Sequence, residues 1–274
     1  MHQERISFAN SRGDTLSGVL HHPPTSANRG AVILCHGMES DKNSEKLIYL
    51  SEALASRGIL ALRFDFSFVG ESSAKFEDIT YSGEVEDLGA AYAFVQNRDP
   101  GKIAILGSSM GGSVALLFAA EEPAVAALVT VAAPVHPEQF PRRILTPKQI
   151  DQWRNQGFTL YHGQRLNVSL LHDLEKINVC EAVKRITCPV LIVHGDADEL
   201  VPVKEAHELH GCLNHLKQLL VLRGQQEHRR VPPRYAGGLV LLARHTFPAA
   251  PKVLRLRLGM TIFAMSILCA MVEQ

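Results

Sequence analysis

The sequence predicts an α/β fold with a doubly wound, mostly parallel sheet, and three observations predict it. Continuous apolar runs of four to six residues recur along the chain, the signature of strands buried on both faces. Stretches with apolar residues at three- and four-residue spacing separate most of these runs, as helices do. Strand and helix patterns alternating in this way make βαβ units. With 274 residues the chain suits one large domain, or one domain with a modest insertion.

Arg5–Ala9 and Leu16–His21 read as two short strands joined by the turn cluster Ser11-Arg12-Gly13-Asp14. Ala31-Val32-Ile33-Leu34-Cys35 is the first buried strand and runs into His36-Gly37. Ile59–Phe64, Ile103–Leu106, Ala126–Val131, Val190–Val193 and Leu219–Leu222 repeat its pattern. Ser44–Ser56 is helical through Leu47, Leu50 and Leu54, with Ser44 as N-cap. Ser82–Val95 is helical through Val85, Leu88, Tyr92 and Val95, with Glu84, Glu86 and Asp87 near the positive end of its dipole. Ser109–Ala120 is small and apolar almost throughout, which predicts a buried helix. The 47 residues 134–180 break the alternation and hold the single tryptophan, Trp153. Ordinary αβ connections take about 2–6 residues, so this segment reads as an insertion of the kind that forms a lid.

Composition excludes several classes. The 28 Lys+Arg balance 28 Asp+Glu, so no bulk positive charge steers the chain to nucleic acid. The neutrality is a cancellation. Residues 229–274 hold seven basic residues and one acid, leaving 21 basic against 27 acidic in residues 1–228. Cys35, Cys180, Cys188, Cys212 and Cys269 show no two-residue spacing, so reduced, mostly buried thiols and a cytoplasmic location are expected. The N-terminus carries no apolar h-region. The uncharged stretch Leu258–Val272 is 15 residues long, short of the roughly 20 that span a bilayer, and reads as a buried terminal helix. His207, His210 and His215 lack a fourth ligand pattern, so no metal is expected. His21-His22 reads as part of a surface hairpin.

Chemistry concentrates at Ile103-Ala104-Ile105-Leu106-Gly107-Ser108-Ser109-Met110-Gly111-Gly112. An apolar strand enters Gly-x-Ser-x-Gly and leaves as a small-residue helix, the arrangement of a nucleophile elbow. Bulky side chains two residues either side of the serine would clash, so Gly107 and Gly111 single out Ser109. Ser108, flanked by Leu106 and Met110, fails that test. A nucleophilic serine needs a base and an orienting acid. The strand Val190–Val193 leads into His194-Gly195-Asp196-Ala197-Asp198. The strand Leu219–Leu222 leads into Arg223-Gly224-Gln225-Gln226-Glu227-His228. Both loops, like Ser109, lie at strand C-terminal ends, where open α/β sheets bind ligands.

On these residues the chain resembles the α/β-hydrolases, particularly small bacterial carboxylesterases similar to feruloyl and cinnamoyl esterases. The resemblance covers about Arg5 to His228. It rests on His36-Gly37-Met38, the run Phe64–Ser72, the elbow at Ser109, and His194–Asp198 with Val201-Pro202. It implies Asp198 as the acid, with Asp196 a turn residue, and His228 as the base. It also implies an oxyanion hole formed by the backbone N–H groups of Met38 and Met110, with His36 structural and Asp65 organising the Gly70 loop. The implied function is a cytoplasmic serine carboxylesterase acting on small soluble esters through an acyl-enzyme, with no cofactor. Trp153, Phe158 and Tyr161 offer an aromatic pocket wall, although ordinary packing would serve them equally.

Residues 1–133 and 181–228 then form the two parts of a hydrolase core, 134–180 a small cap, and 229–274 an atypical basic and apolar C-terminal segment. The family's usual phenylalanine after the histidine is missing, since Arg229-Arg230 follow His228. His245, with Phe247 nearby, is the alternative base. Thioesterase, amidase, peptidase or lactonase activity would use the same residues. A non-catalytic binding protein on this scaffold is the rival of another class.

Overall fold

The computed structural model describes residues 2–24, 30–98 and 100–227. His228, His245 and the segment 229–274 lie outside the described residues. The N-terminal hairpin pairs β1 (His2–Ala9) with β2 (Thr15–His22), antiparallel and in full register. The remaining strands of the main sheet are β3 (Ala31–Cys35), β4 (Leu60–Phe64), β5 (Ile103–Ser108), β6 (Ala127–Val131), β9 (Val190–Gly195) and β10 (Lys217–Leu222). Their order is β1-β2-β4-β3-β5-β6-β9-β10, parallel from β4 to β10. β3 through β6 and β9 have no exposed residue, the burial that their continuous apolar runs demand.

Helices cover both faces. α1 (Glu45–Ala55) buries Leu47, Leu50 and Leu54 against Val32, Leu34, Ala61 and Leu106. Each such leucine contributes about 1.5–3 kcal/mol by leaving water. α2 (Tyr81–Gln96) and α3 (Met110–Glu121) lie on the other face over Ile33, Cys35, Leu62 and Ile105. Caps differ from the sequence reading. Ser44 holds the N-cap position of α1, but its hydroxyl makes no capping bond and is buried without a partner among the described residues. α2 starts one residue earlier than expected and is capped by Thr80, whose Oγ1 accepts the Gly83 N–H. Glu84 and Asp87 are buried rather than merely facing the dipole. Asp87 accepts from Asn10, Arg12 and the Ser67 N–H. Neither oxygen of Glu84 has a partner among the described residues, and burial holds its carboxyl well above the usual range.

Between β6 and β9 the chain forms α4 (Phe140–Ile144), α5 (Pro147–Gln156), the hairpin β7 (Phe158–Tyr161) and β8 (Gln164–Asn167), α6 (Val168–Leu174) and α7 (Val179–Ala182). α8 (Lys204–Cys212) then precedes β10. The segment is tied down at both ends. Buried Glu205 of α8 accepts the N–H groups of Val135 and His136 and pairs with Arg143 of α4. Asp173 of α6 accepts from the backbone and hydroxyl of Ser82 at the start of α2.

Two expectations need correction here. Cys180 and Cys212 form a disulfide across 32 residues, joining α7 to the end of α8, so the thiols are not all reduced. Their separation in sequence conceals a Cα–Cα distance of 5.4 Å. Cys35 and Cys188 are free and buried. His21 is not on the surface. Its strand is flanked by β1 and β4, and its Nε2 accepts from Arg63. Burial and that cation push its pKa down to about 4.

Candidate active site

The site is built where β5 ends. Ser109 follows β5 with φ +54°, a left-handed conformation that serine adopts at a cost of about 1–3 kcal/mol. The surroundings impose it. The Ser109 N–H donates to Val131 O on the neighbouring strand at 2.8 Å, while Ser109 O accepts from Gly112 and Ser113 to begin α3. The flanking glycines are required by backbone contact. A Cβ on Gly107 would lie 2.3 Å from Gly111 O, and one on Gly111 would lie 2.2 Å from His36 O. The strand, turn and helix thus have the geometry of a nucleophile elbow.

The loop after β3 runs beside this turn. A Cβ on Gly37 would come within 3.1 Å of Ser109 Cβ. Buried His36 fixes the loop. Its Nε2 accepts the Phe66 N–H at 3.2 Å, which assigns the proton to Nδ1, and Nδ1 donates to Gly37 O at 2.8 Å. Burial lowers its pKa, so the ring is neutral and structural. Met38 follows in this loop and lines the cavity in front of Ser109. Met110 is the first residue of α3, where the N–H has no carbonyl within the helix to meet. Asp65 braces the next loop. It accepts the N–H groups of Lys42 and Glu71 and pairs with Lys42 Nζ, and it leaves no space for a side chain at Gly70.

Asp198 lies in the loop after β9 and is nearly buried. Its Oδ1 accepts the N–H groups of Leu200 and Val201 at 3.0 and 2.9 Å. Its Oδ2 accepts the Glu227 N–H at 3.2 Å, so the carboxylate meets the chain one residue before His228. Asp196 instead accepts the Gly224 N–H at 2.6 Å in an exposed turn.

A cavity of about 550 Å³ opens over Ser109, with Met38, Tyr81, Phe140, Tyr161 and Leu170 in its wall. The expected aromatic wall is therefore only partly present. Tyr161 lines the cavity, held by Glu39. Trp153 does not, because α5 is amphipathic and turns Ile150 and Trp153 into the core, where Trp153 has no exposed surface. Phe158 is also absent from the cavity and lies beneath the Arg165 guanidinium. Phe140 and Tyr81 take their places, residues that the sequence reading did not single out. A second cavity of about 500 Å³, with Phe68, Val69 and Phe76 in its wall, shares Met38, Glu39, Ser40 and Tyr161 with the first.

Two polar residues at the cavity were also missed, Lys46 and Glu227, and Ser108, set aside as nucleophile, joins them. Lys46 Nζ donates to Ser108 Oγ at 2.7 Å and pairs with Glu227, and Ser108 Oγ donates to Glu227 Oε1 at 2.8 Å. Lys46 and Glu227 are 181 positions apart, and no motif joins them. The one sequence signal is a lysine in the first turn of a helix, against the dipole. Among the described residues no cluster of three His, Cys, Asp or Glu side chains could hold a metal ion.

Comparison with known proteins agrees with this fold. Residues 26–159 match the model of a hydrolase family described as serine aminopeptidase, S33. The mitochondrial palmitoyl-protein thioesterase ABHD10 of Bos taurus is 27% identical over 238 residues, covering 83% of this chain and 75% of that protein. Est1E from Butyrivibrio proteoclasticus, solved with ferulic acid bound, superposes with a TM-score of 0.78 over 98% of this chain and all of its own. At 22% identity that likeness speaks for the fold alone. The esterase domain of a Rhodothermus marinus protein superposes at 0.64 with 26% identity, over 82% of this chain and 90% of its own.

Proposed function

Because this chain has the α/β-hydrolase fold and part of it matches a hydrolase family model, we propose that it is a serine carboxylesterase for small soluble esters with short or aromatic acyl groups. The observation that carries the proposal is Ser109, held at a positive φ on the elbow and opening into the cavity. A strained serine between two glycines that admit no side chain has a functional rather than a packing explanation.

In this reading Ser109 Oγ attacks the ester carbonyl and His228 takes its proton. The tetrahedral oxyanion accepts from the N–H groups of Met110 and Met38, each worth roughly 3–4 kcal/mol in comparable sites. His228 then protonates the leaving alcohol, and water hydrolyses the acyl-enzyme by the reverse path. Asp198 holds the His228 tautomer and stabilises the imidazolium. Asp198 suits this role because the N–H groups of Leu200, Val201 and Glu227 hold its carboxylate in place. Residues 134–180 act as a small cap, contributing Phe140, Tyr161 and Leu170 to the wall. The reaction needs no cofactor or metal.

A thioesterase reading is the alternative, favoured by the likeness to the bovine palmitoyl-protein thioesterase. Among the described residues no helix is long and apolar enough to cross a membrane. The Cys180–Cys212 disulfide removes the cysteine argument for a cytoplasmic location, because such bonds are rare there.

A fluorophosphonate label with peptide mapping tests the core of the proposal. Labelling at Ser109, abolished in Ser109→Ala, is expected, and hydrolysis retained by Ser109→Ala would refute it. A panel of nitrophenyl esters and matched thioesters tests the substrate. The best rate on ten or more carbons would refute the short-acyl reading, and preference for thioesters would establish the alternative.

A further inference from the structure

The contacts of Lys46, Ser108 and Glu227 join three parts of the site that are far apart in sequence. Lys46 is in the first turn of α1, Ser108 ends β5 immediately before the nucleophile, and Glu227 immediately precedes His228. Glu227 faces both ways. Its N–H donates to Asp198 Oδ2, and its carboxylate accepts from Lys46 and from Ser108 Oγ.

The loop that carries Glu227 needs such a hold. β10 is the last strand of the sheet in the described chain, paired only with β9, and its residues are half-exposed. Backbone bonds fasten the loop to the acid side, from Asp196 N–H to Leu222 O and from Ala197 N–H to Gln225 O. Those bonds fix residues 223–227 relative to Asp198 and leave their distance from β5 to side chains. The Lys46 and Ser108 bonds supply that second hold. Helix formation does not explain Lys46, because a cation in a first turn opposes the helix dipole. Its side chain is 17% exposed and that of Glu227 is 10% exposed, so the two charges meet where solvent screens them little.

We infer that Lys46, Ser108 and Glu227 form a charged latch that sets the position of the histidine loop relative to Ser109. The three are positioning residues, and the inference rests on the serine hydrolase reading. The latch acts on geometry, and the apolar wall of Met38, Tyr81, Phe140, Tyr161 and Leu170 is not part of it, so its loss lowers kcat more than it raises KM.

The test compares Lys46→Met, Glu227→Gln, the double variant, Lys46→Arg and Ser108→Ala by two independent readouts. The first is amide hydrogen exchange in peptides covering residues 222–227, which needs no activity. The second is the split between kcat and KM on p-nitrophenyl acetate. Lys46→Met and Glu227→Gln are each expected to speed exchange and to lower kcat on the order of ten- to a hundredfold, with KM within about twofold. The double variant should match the worse single, because both remove one interaction. Lys46→Arg should keep most of the rate. Ser108→Ala, which removes only a hydroxyl, should give a smaller effect in the same direction if a charge variant fails to fold. Unchanged exchange overturns the latch, as does faster exchange with unchanged kcat, or additive losses in the double variant. Wild-type protein that neither hydrolyses esters nor labels at Ser109 would refute the hydrolase reading instead, and the exchange readout would still decide whether the loop is tethered.

Discussion

Replacing Gly111 by alanine puts a methyl group where three backbone atoms already stand. The added Cβ would lie 2.2 Å from His36 O, 2.8 Å from Cys35 O and 2.9 Å from Cys35 C. Relief to 3.0 Å from His36 O alone requires 0.8 Å of movement between α3 and the end of β3. No side chain can absorb it, since Cys35 is paired in the β3–β5 ladder with Gly107, the other glycine of the elbow. The shift therefore passes into His36-Gly37-Met38, the loop proposed to carry an oxyanion donor. Overpacking of this kind costs about 1–3 kcal/mol, and misplacement by about 1 Å costs about a hundredfold in rate. Gly111→Ala is expected to lower kcat/KM on p-nitrophenyl acetate by about that factor, and Tm by several degrees by circular dichroism. Gly211→Ala is the control. Its Cβ meets nothing within 4 Å in α8, so it should be neutral or stabilising by up to about 1 kcal/mol. A Gly111→Ala protein with near wild-type kcat/KM and Tm would refute the steric argument.

Three further outcomes are expected. Ser109→Gly should remove the strained φ and raise stability to urea by about 1 kcal/mol while abolishing hydrolysis; a less stable variant would contradict the strain. Asp198→Asn should lower kcat by about four orders of magnitude, as in comparable triads, and Asp196→Asn should stay near wild type; the reverse ranking in steady-state assays would reassign the acid. Glu84→Gln should gain stability over wild type as pH rises. The folded state keeps the Glu84 proton where the unfolded chain releases it, so above the ordinary carboxyl range the wild type loses stability with pH until Glu84 itself ionises. Urea titrations at pH 5 and 8 measure this, and a gap that narrows toward pH 8 would be inconsistent with a neutral buried Glu84.

Apolar runs carried most of the fold, because strands buried on both faces are mostly apolar, with few exceptions such as Arg63, Thr130 and His194. β3 is Ala31–Cys35, as its sequence predicts, and β4, β6 and β9 differ from their runs by at most two residues. The elbow was legible for a local reason: strand, glycines, serine and helix are contiguous. Legibility ended where contacts cross long separations. Trp153 lies in a polar stretch, yet Ile150 and Trp153 form one face of α5, and that short face was masked by its charged surroundings. His21 is apolar-looking only in its burial, which depends on β4 pairing with β2. Lys46 with Glu227, and Cys180 with Cys212, are pairs that no spacing rule connects.

The elbow also bears on the order in which this molecule folds. Ser109 is held by Val131 O, a bond that exists only once β6 has joined β5. Gly111 fits only against the end of β3, more than seventy positions earlier in the chain. No peptide spanning residues 103–121 contains those partners, so a fragment has no means of holding serine at a positive φ. Reactivity in this chain is a property of the assembled sheet. During synthesis or refolding it should emerge together with the slow, non-local strand pairings rather than with the early helices. An acyl-reactive probe added during refolding would therefore report completion of the sheet's centre rather than collapse.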